Sequence, residues 1–127
     1  MTHGVTIGSI GQIAIRARDV ARASAFYRDV LGVRHLFDAG PNLSFFDCGG
    51  IRLMLSTAES AEFDHPGSVL YYKVEDIQRA YAELLARGAT FIDSPHIIAK
   101  LPAHDLWMVF LRDSEDNVLA LMSEVTR

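Results

Sequence analysis

Residues 13–33, "IAIRARDVARASAFYRDVLGV", begin as a strand and end as a helix. Ile13 to Ala17 carry the alternation of a half-buried strand. Asp19 then offers a carboxylate to the free backbone N–H groups of a helix start, and Val20, Ala23, Phe26, Tyr27, Val30 and Leu31 recur at helical spacing. Gly32 supplies the stop, because a glycine tolerates the left-handed conformation that closes a helix. Further along, "LYYKVEDIQRAYAELLARGA", residues 70–89, repeats this plan, with Asp76 as cap, Ile77, Ala80, Tyr81, Leu84 and Leu85 on one face, and Gly88 at the end. A shift of 57 positions superposes Asp19 on Asp76, Arg22 on Arg79, Ala23 on Ala80 and Ala25 on Ala82.

After each helix the text turns strand-like. The first half gives "HLFDAG", "NLSFFDCGG" and "IRLMLST", and the second gives "TFIDSP", "LWMVFLRD" and "NVLALMSEV". Turn residues separate strands at Asp47-Cys48-Gly49-Gly50 and Ser114-Glu115-Asp116-Asn117. Each half is therefore βαβββ. One helix covers one face of a sheet, so the other face needs further surface from the second half or from another chain. The sequence predicts an α+β fold of two βαβββ modules in one chain, about residues 8–57 and 66–125, with the sheets curled around a shared cavity.

The 127 residues fit a single domain, and 50% hydrophobic with 22% charged residues is globular composition. A net charge of −4 gives no positive field to gather phosphate backbones or anionic lipid, so nucleic acid is not expected as a partner. No basic leader and no apolar run of the ~20 residues that span a bilayer is present, which predicts a cytoplasmic protein with no membrane partner. The one cysteine, Cys48, has no internal disulfide partner and no cationic neighbours in sequence, and reads as a small apolar filler beside a turn.

The chain resembles the vicinal-oxygen-chelate superfamily, which holds glyoxalase I, extradiol dioxygenases, methylmalonyl-CoA epimerase, and the fosfomycin- and bleomycin-resistance proteins. The resemblance is carried by Asp19, Phe26, Tyr27, Leu31 and Gly32 in the first stretch and by "FLRDSEDNVLALM" near the end. These motifs describe helix packing and a tight strand connection, and so specify a fold more than a reaction. In metal-dependent members, the resemblance implies, four inward strand positions hold a divalent ion with room for two substrate oxygens. Here they fall on Gln12, Met54, Val69 and Ala120. Valine and alanine have no donor atom, a thioether prefers soft metals, and one amide oxygen is a weak ligand. Their neighbours Ile13, Leu53, Leu55, Leu70, Leu119 and Leu121 are no better. The expectation is a site without metal and without cofactor.

Strand parity puts Gln12, Ala14 and Arg16 on one face, Arg52, Met54 and Ser56 on the equivalent face of a later strand, and Val69, Tyr71 and Lys73 together in the second half. If these faces converge, an apolar middle is edged by a few polar groups, which suits an amphipathic or anionic small ligand. Gln12 then faces either that ligand or a neighbouring backbone group. Of the histidines His3, His35, His65, His96 and His104, no two have the spacing of a compact metal site. His104 next to Asp105 stands out, because a carboxylate raises an imidazole pKa and residues 93–106 read as a long loop able to fold over the cavity mouth. Trp107 begins the strand after that loop, and Phe45, Phe46, Phe91 and Phe110 read as core, with a minority available to stack on a planar ligand. No phosphate-binding loop, nucleophile elbow or H-E-x-x-H is present.

The predicted ligand-binding residues are thus Gln12, Arg16, Arg52, Met54, Val69, Tyr71, Lys73, His104, Trp107 and Ala120, with no catalytic residue assigned. The resemblance points to a metal-independent homodimer that binds a small organic molecule, in the manner of the resistance proteins. Two other readings stand beside it: a lyase, isomerase or dioxygenase, metal-dependent or using Gln12, Tyr71 and histidines as acid and base, and a module that contacts a larger protein.

Overall fold

In the computed structural model the described residues are 5, 8–57 and 67–126. His3 and His65 lie outside them. The first module runs β1 (Gln12–Arg16), α1 (Val20–Ala25), β2 (Arg34–Asp38), β3 (Leu43–Cys48) and β4 (Ile51–Ser56). The second runs β5 (Leu70–Lys73), α2 (Ile77–Ala86), β6 (Thr90–Phe91), β7 (His96–Lys100), β8 (His104–Arg112) and β9 (Val118–Thr126). The first sheet has the order β1-β4-β3-β2, the second β5-β9-β8-β6 with β7 also on β8, and neither closes into a barrel. In both sheets the first strand pairs in parallel with the last and forms an edge.

The internal repeat is exact at the helix starts. Asp19 accepts a hydrogen bond from Arg22 N at 3.0 Å and Asp76 from Arg79 N at 3.1 Å, and the two aspartates share φ −123°. The helices then diverge. From Phe26 to Val30 the first one widens into a π-helical turn, with Leu31 N donating to Phe26 O at 3.1 Å, before Gly32 closes it at φ +75°. An i to i+5 bond accommodates an extra residue per turn. Tyr27, at 1% exposure, is buried there against Phe26 and Phe46.

One structural correction concerns residues 93–106, which are not a loop. Residues 96–100 form β7, antiparallel to β8, leaving only 101–103 as a connection. Both β6 and β7 lie along β8, so they are two pieces of one edge strand interrupted at 92–95. Asp93 Oδ1 bridges the gap by accepting from Phe110 N at 2.8 Å. The "TFIDSP" stretch broke the strand pattern because Asp93 and Pro95 replace ladder bonds with a side-chain bond. His104 and Trp107 accordingly lie inside β8.

Two cores lie between helices and sheets. Ala23, Tyr27, Phe46, Leu53 and Leu55 form the first, and Ile77, Leu84, Val109, Leu111, Leu119 and Leu121 the second. The modules are joined by the β8–β9 turn. Asp113, 6% exposed, accepts from Tyr27 Oη at 2.8 Å, from Asn117 Nδ2 at 3.0 Å, and from the backbone of Glu115 and Asn117. Asn117 also donates to Arg16 O at 3.1 Å. Glu115 accepts from the backbone N–H of Arg18 and Asp19 and pairs with Arg22 at 2.7 Å. Asp116 takes φ +67° to make this turn. The two stretches that carry the family resemblance therefore meet: Tyr27 of one module bonds Asp113 in the Asp-Ser-Glu-Asp-Asn turn of the other.

Candidate functional site

Register decides which side chains share a face. Gln12 lies opposite Arg52, which lies opposite Asp47, and Ala14, Met54 and Phe45 form the next row. Because α1 packs over Leu53, Leu55 and Phe46, this row stands on the other, open side of the first sheet. Arg52 Nε donates to Gln12 Oε1 at 2.7 Å, and Gln12 Nε2 reaches Met54 Sδ at 3.7 Å. The Arg52 guanidinium also stands 5.3 Å from the centre of the Phe45 ring, which stacks on Phe37 at 4.7 Å. A cation, a carboxamide, a thioether and two rings are thereby gathered on one open surface. Gln12 thus faces a guanidinium rather than a backbone group.

The second sheet repeats the layout with other chemistry. Tyr71 lies opposite Ala120, which lies opposite Phe110, and Tyr71 meets Phe110 edge-on at 6.0 Å. Lys73 pairs with Glu124 at 3.9 Å. His104 Nε2 lies 2.7 Å from Glu124 Oε2 without a well-aligned hydrogen bond. Val69, just before β5, is exposed, whereas Ala120 is fully buried.

Nine of the ten predicted residues fall into a cluster on each module: Gln12, Arg16, Arg52 and Met54 on the first, Val69, Tyr71, Lys73, His104 and Ala120 on the second. The strands that carry each cluster pair within their own module. Trp107 is the exception. It pairs with Ser123 in the opposite register and packs against the α2 core, away from Tyr71 and Ala120. Its position in the alternation of β8, odd where His104 and Phe110 are even, was the signal. Phe45, Phe37 and Glu124 are additions. The tight Gly49-Gly50 turn sets Cys48 opposite Ile51 and so Phe45 opposite Met54, and Glu124 shares the parity of Ala120.

A divalent ion does not suit the four family positions. Ala120 and Val69 lack donors, the Met54 thioether is soft, and the single oxygen of Gln12 is held by a guanidinium whose charge repels a cation. Among the described residues no three His, Cys, Asp or Glu side chains are grouped to hold a metal.

With this geometry in place, comparison with known proteins assigns the class. A family profile, described as Glyoxalase/Bleomycin resistance protein/Dioxygenase superfamily, matches residues 9–121, and the chain belongs to that superfamily. Among solved structures it is similar to a superfamily member from Sphaerobacter thermophilus, with TM-score 0.77, 24% identity, 93% of this chain and 98% of that one covered. It is also similar to a lactoylglutathione lyase from Agrobacterium tumefaciens, with TM-score 0.69, 21% identity, and 92% and 94% covered. A family enzyme from Burkholderia phytofirmans gives TM-score 0.74 at 22% identity, with 91% and 98% covered. At these identities the likeness is one of fold. No curated protein matches the chain. Among the described residues no helix is long and apolar enough to cross a membrane.

Proposed function

We propose that the chain binds a small organic molecule with an aromatic or apolar body and an anionic group on the open sheet faces, without a divalent ion, and releases it unchanged. The observation that supports this most directly is the Arg52 guanidinium held by Gln12 over the Phe45 ring. A guanidinium fixed by one hydrogen bond keeps its remaining N–H donors for a carboxylate or similar oxyanion, and the ring and thioether beside it supply apolar contact. Phe37 and Tyr71, each 47% exposed, leave apolar surface on both faces. A homodimer that sets the face of one module against that of the partner's other module would enclose them, so dimerisation is part of the proposal. Cytoplasmic location is its natural setting.

The test is a thermal-shift and calorimetric screen of aromatic carboxylates, such as benzoate and naphthoate, against their neutral amides. Carboxylates should raise the melting temperature by mass action, more than the amides do, and be recovered intact. Equal effects of both, or none, would remove Arg52 from the site.

A second reading, a lyase, isomerase or dioxygenase of the same superfamily, is favoured by one observation. His104 and Glu124 stand 2.7 Å apart on the face that carries Tyr71. An imidazole beside a carboxylate is a general acid–base pair. Chemical conversion of a bound compound, lost in His104→Ala with binding retained, would select this reading over sequestration.

A further inference from the structure

The open face of the second sheet carries one row whose chemistry the Arg52 face lacks. Met122 of β9 lies opposite Met108 of β8, and Met108 lies opposite His96 of β7. Residues directly opposite one another in a ladder share a face, with Cβ atoms about 4.5–5.5 Å apart. Met122 alternates with Leu121 and Ser123 and keeps the parity of Ala120 and Glu124, so the row stands on the open side and outside the α2 core. Both methionines are partly exposed, and the His96 side chain is 44% exposed. Two thioethers and an imidazole from three adjacent strands thus stand side by side.

The histidine is already oriented for ligation. Its Nδ1–H donates to Ser94 O at 2.7 Å, and Asp93 Oδ2 stands 4.0 Å from the same nitrogen. A carbonyl can only accept, so the proton of the neutral ring sits on Nδ1 and the lone pair on Nε2, which has no partner among the described residues. Metal-ligating imidazoles commonly donate through their other nitrogen to a carbonyl or carboxylate, which fixes the tautomer and the ring plane. Asp93 is itself anchored, accepting from Phe110 N at 2.8 Å. Thioether sulfur is soft and the set carries no charge, so it suits a soft monovalent ion rather than a hard divalent one. The Met54 sulfur of the first sheet lacks such company, since its ladder neighbours are Ala14 and Phe45. Lys73 opposes Met122 at the far end of the row, but its ammonium is 77% exposed and drawn to Glu124 at 3.9 Å. We infer that Met122, Met108 and His96 form a site for Cu(I), apart from the four family positions and independent of the Arg52 face. An uncharged ligand set exchanges its ion readily, so the ion has to be supplied.

The test is titration of the full chain with silver nitrate in chloride-free buffer, Ag(I) being the redox-inert counterpart of Cu(I), followed by the NMR signals of the methionine methyls and the His96 ring. The Met108 and Met122 methyls and the His96 ring should shift together and saturably, with Met54 unmoved. Cu(I), supplied anaerobically with ascorbate, should move the same signals, and zinc should leave the methyls in place. Cys48, the sole cysteine, is the competing soft group. In Cys48→Ser the shifts should persist and saturate at one ion per chain. Met108→Leu, Met122→Leu and His96→Ala should each weaken binding by about tenfold or more, since a ligand matters at least as much as the outer partner that orients it. Shifts of neither or only one of the Met108 and Met122 methyls, or an equal shift of Met54, in the unsubstituted protein overturn the inference whether or not the variants fold. So does loss of the shifts in a folded Cys48→Ser chain, which would place the ion on the thiol.

Discussion

The Tyr27 hydroxyl donates to the Asp113 carboxylate at 2.8 Å across 86 residues of chain, and both groups are buried. This bond holds one module on the other. Asp113 takes three more hydrogen bonds from its own turn, so it is a satisfied buried charge, and the tyrosine stays protonated because burial, and then Asp113 itself, oppose its ionisation. Removing the hydroxyl in Tyr27→Phe should cost about 1.5–3 kcal/mol, the range for a bond to a charged group. Asp113→Ala should cost more, about 3 kcal/mol or above, because it strands Tyr27 and two backbone N–H groups as well. Urea unfolding measures both, and an Asp113→Ala cost below that of Tyr27→Phe would show that the turn is held by something else.

The repeated helix caps give a paired prediction. Asp19→Ala and Asp76→Ala each remove one side-chain acceptor from a helix N-terminus and should each destabilise by about 1 kcal/mol. In a domain of this size that lowers the melting temperature by about 3–5 °C. The double variant should show nearly the sum, since the caps share no partner. A calorimetric scan in which only one substitution matters would mean that one helix is held by packing alone.

Glu115 links the β8–β9 turn to the start of α1 and makes stability depend on pH. Burial works to raise its pKa, but the hydrogen bond from Arg22, the N–H groups of Asp19 and Arg18, and the charge of Arg22 outweigh it, and the net shift is downward. A carboxylate whose folded pKa lies below its unfolded value stabilises the fold fully above the unfolded value of 4.5, and loses that contribution as pH falls through the folded one. The stability difference between the protein and Glu115→Gln should therefore be largest at neutral pH and shrink below about pH 4.5. A difference that is flat from neutral to acid pH would contradict this.

On the open face of the first sheet, Arg52→Ala should weaken binding of an aromatic carboxylate about tenfold or more, the effect of a charge-assisted bond, while leaving its neutral amide unaffected. Arg52→Lys should restore little, since an ammonium cannot donate to Gln12 and to a ligand in the same plane. Calorimetry on the two ligands decides it, and full rescue by lysine would reduce the role of Arg52 to charge alone.

Both caps, both glycine stops, the tight strand connections and the two-module plan were legible in the sequence because each depends on a few local residues. The interrupted edge strand was not, because Asp93, Ser94 and Pro95 break the pattern before it, a register shift between Ile97 and Ala99 disturbs its alternation, and the polar residues around it resemble a loop. The candidate faces followed from parity where the strand start was right, as at Gln12 and Arg52. Trp107 falls on the other face because it is odd in β8 where His104 and Phe110 are even, an alternation that is visible only once the strand is extended back to His104. The Tyr27–Asp113 bond had no local signature at all, although both of its residues stood in the stretches that carry the family resemblance.

Elemental analysis of the protein purified without chelator, followed by ligand calorimetry before and after EDTA, bears most directly on a site that works by shape and hydrogen bonds. No ion should be present in proportion to the chain, and ligand affinity should be the same with and without chelator. One tightly held divalent ion per chain, lost in Gln12→Ala and required for binding, would show that the open faces are a metal centre after all.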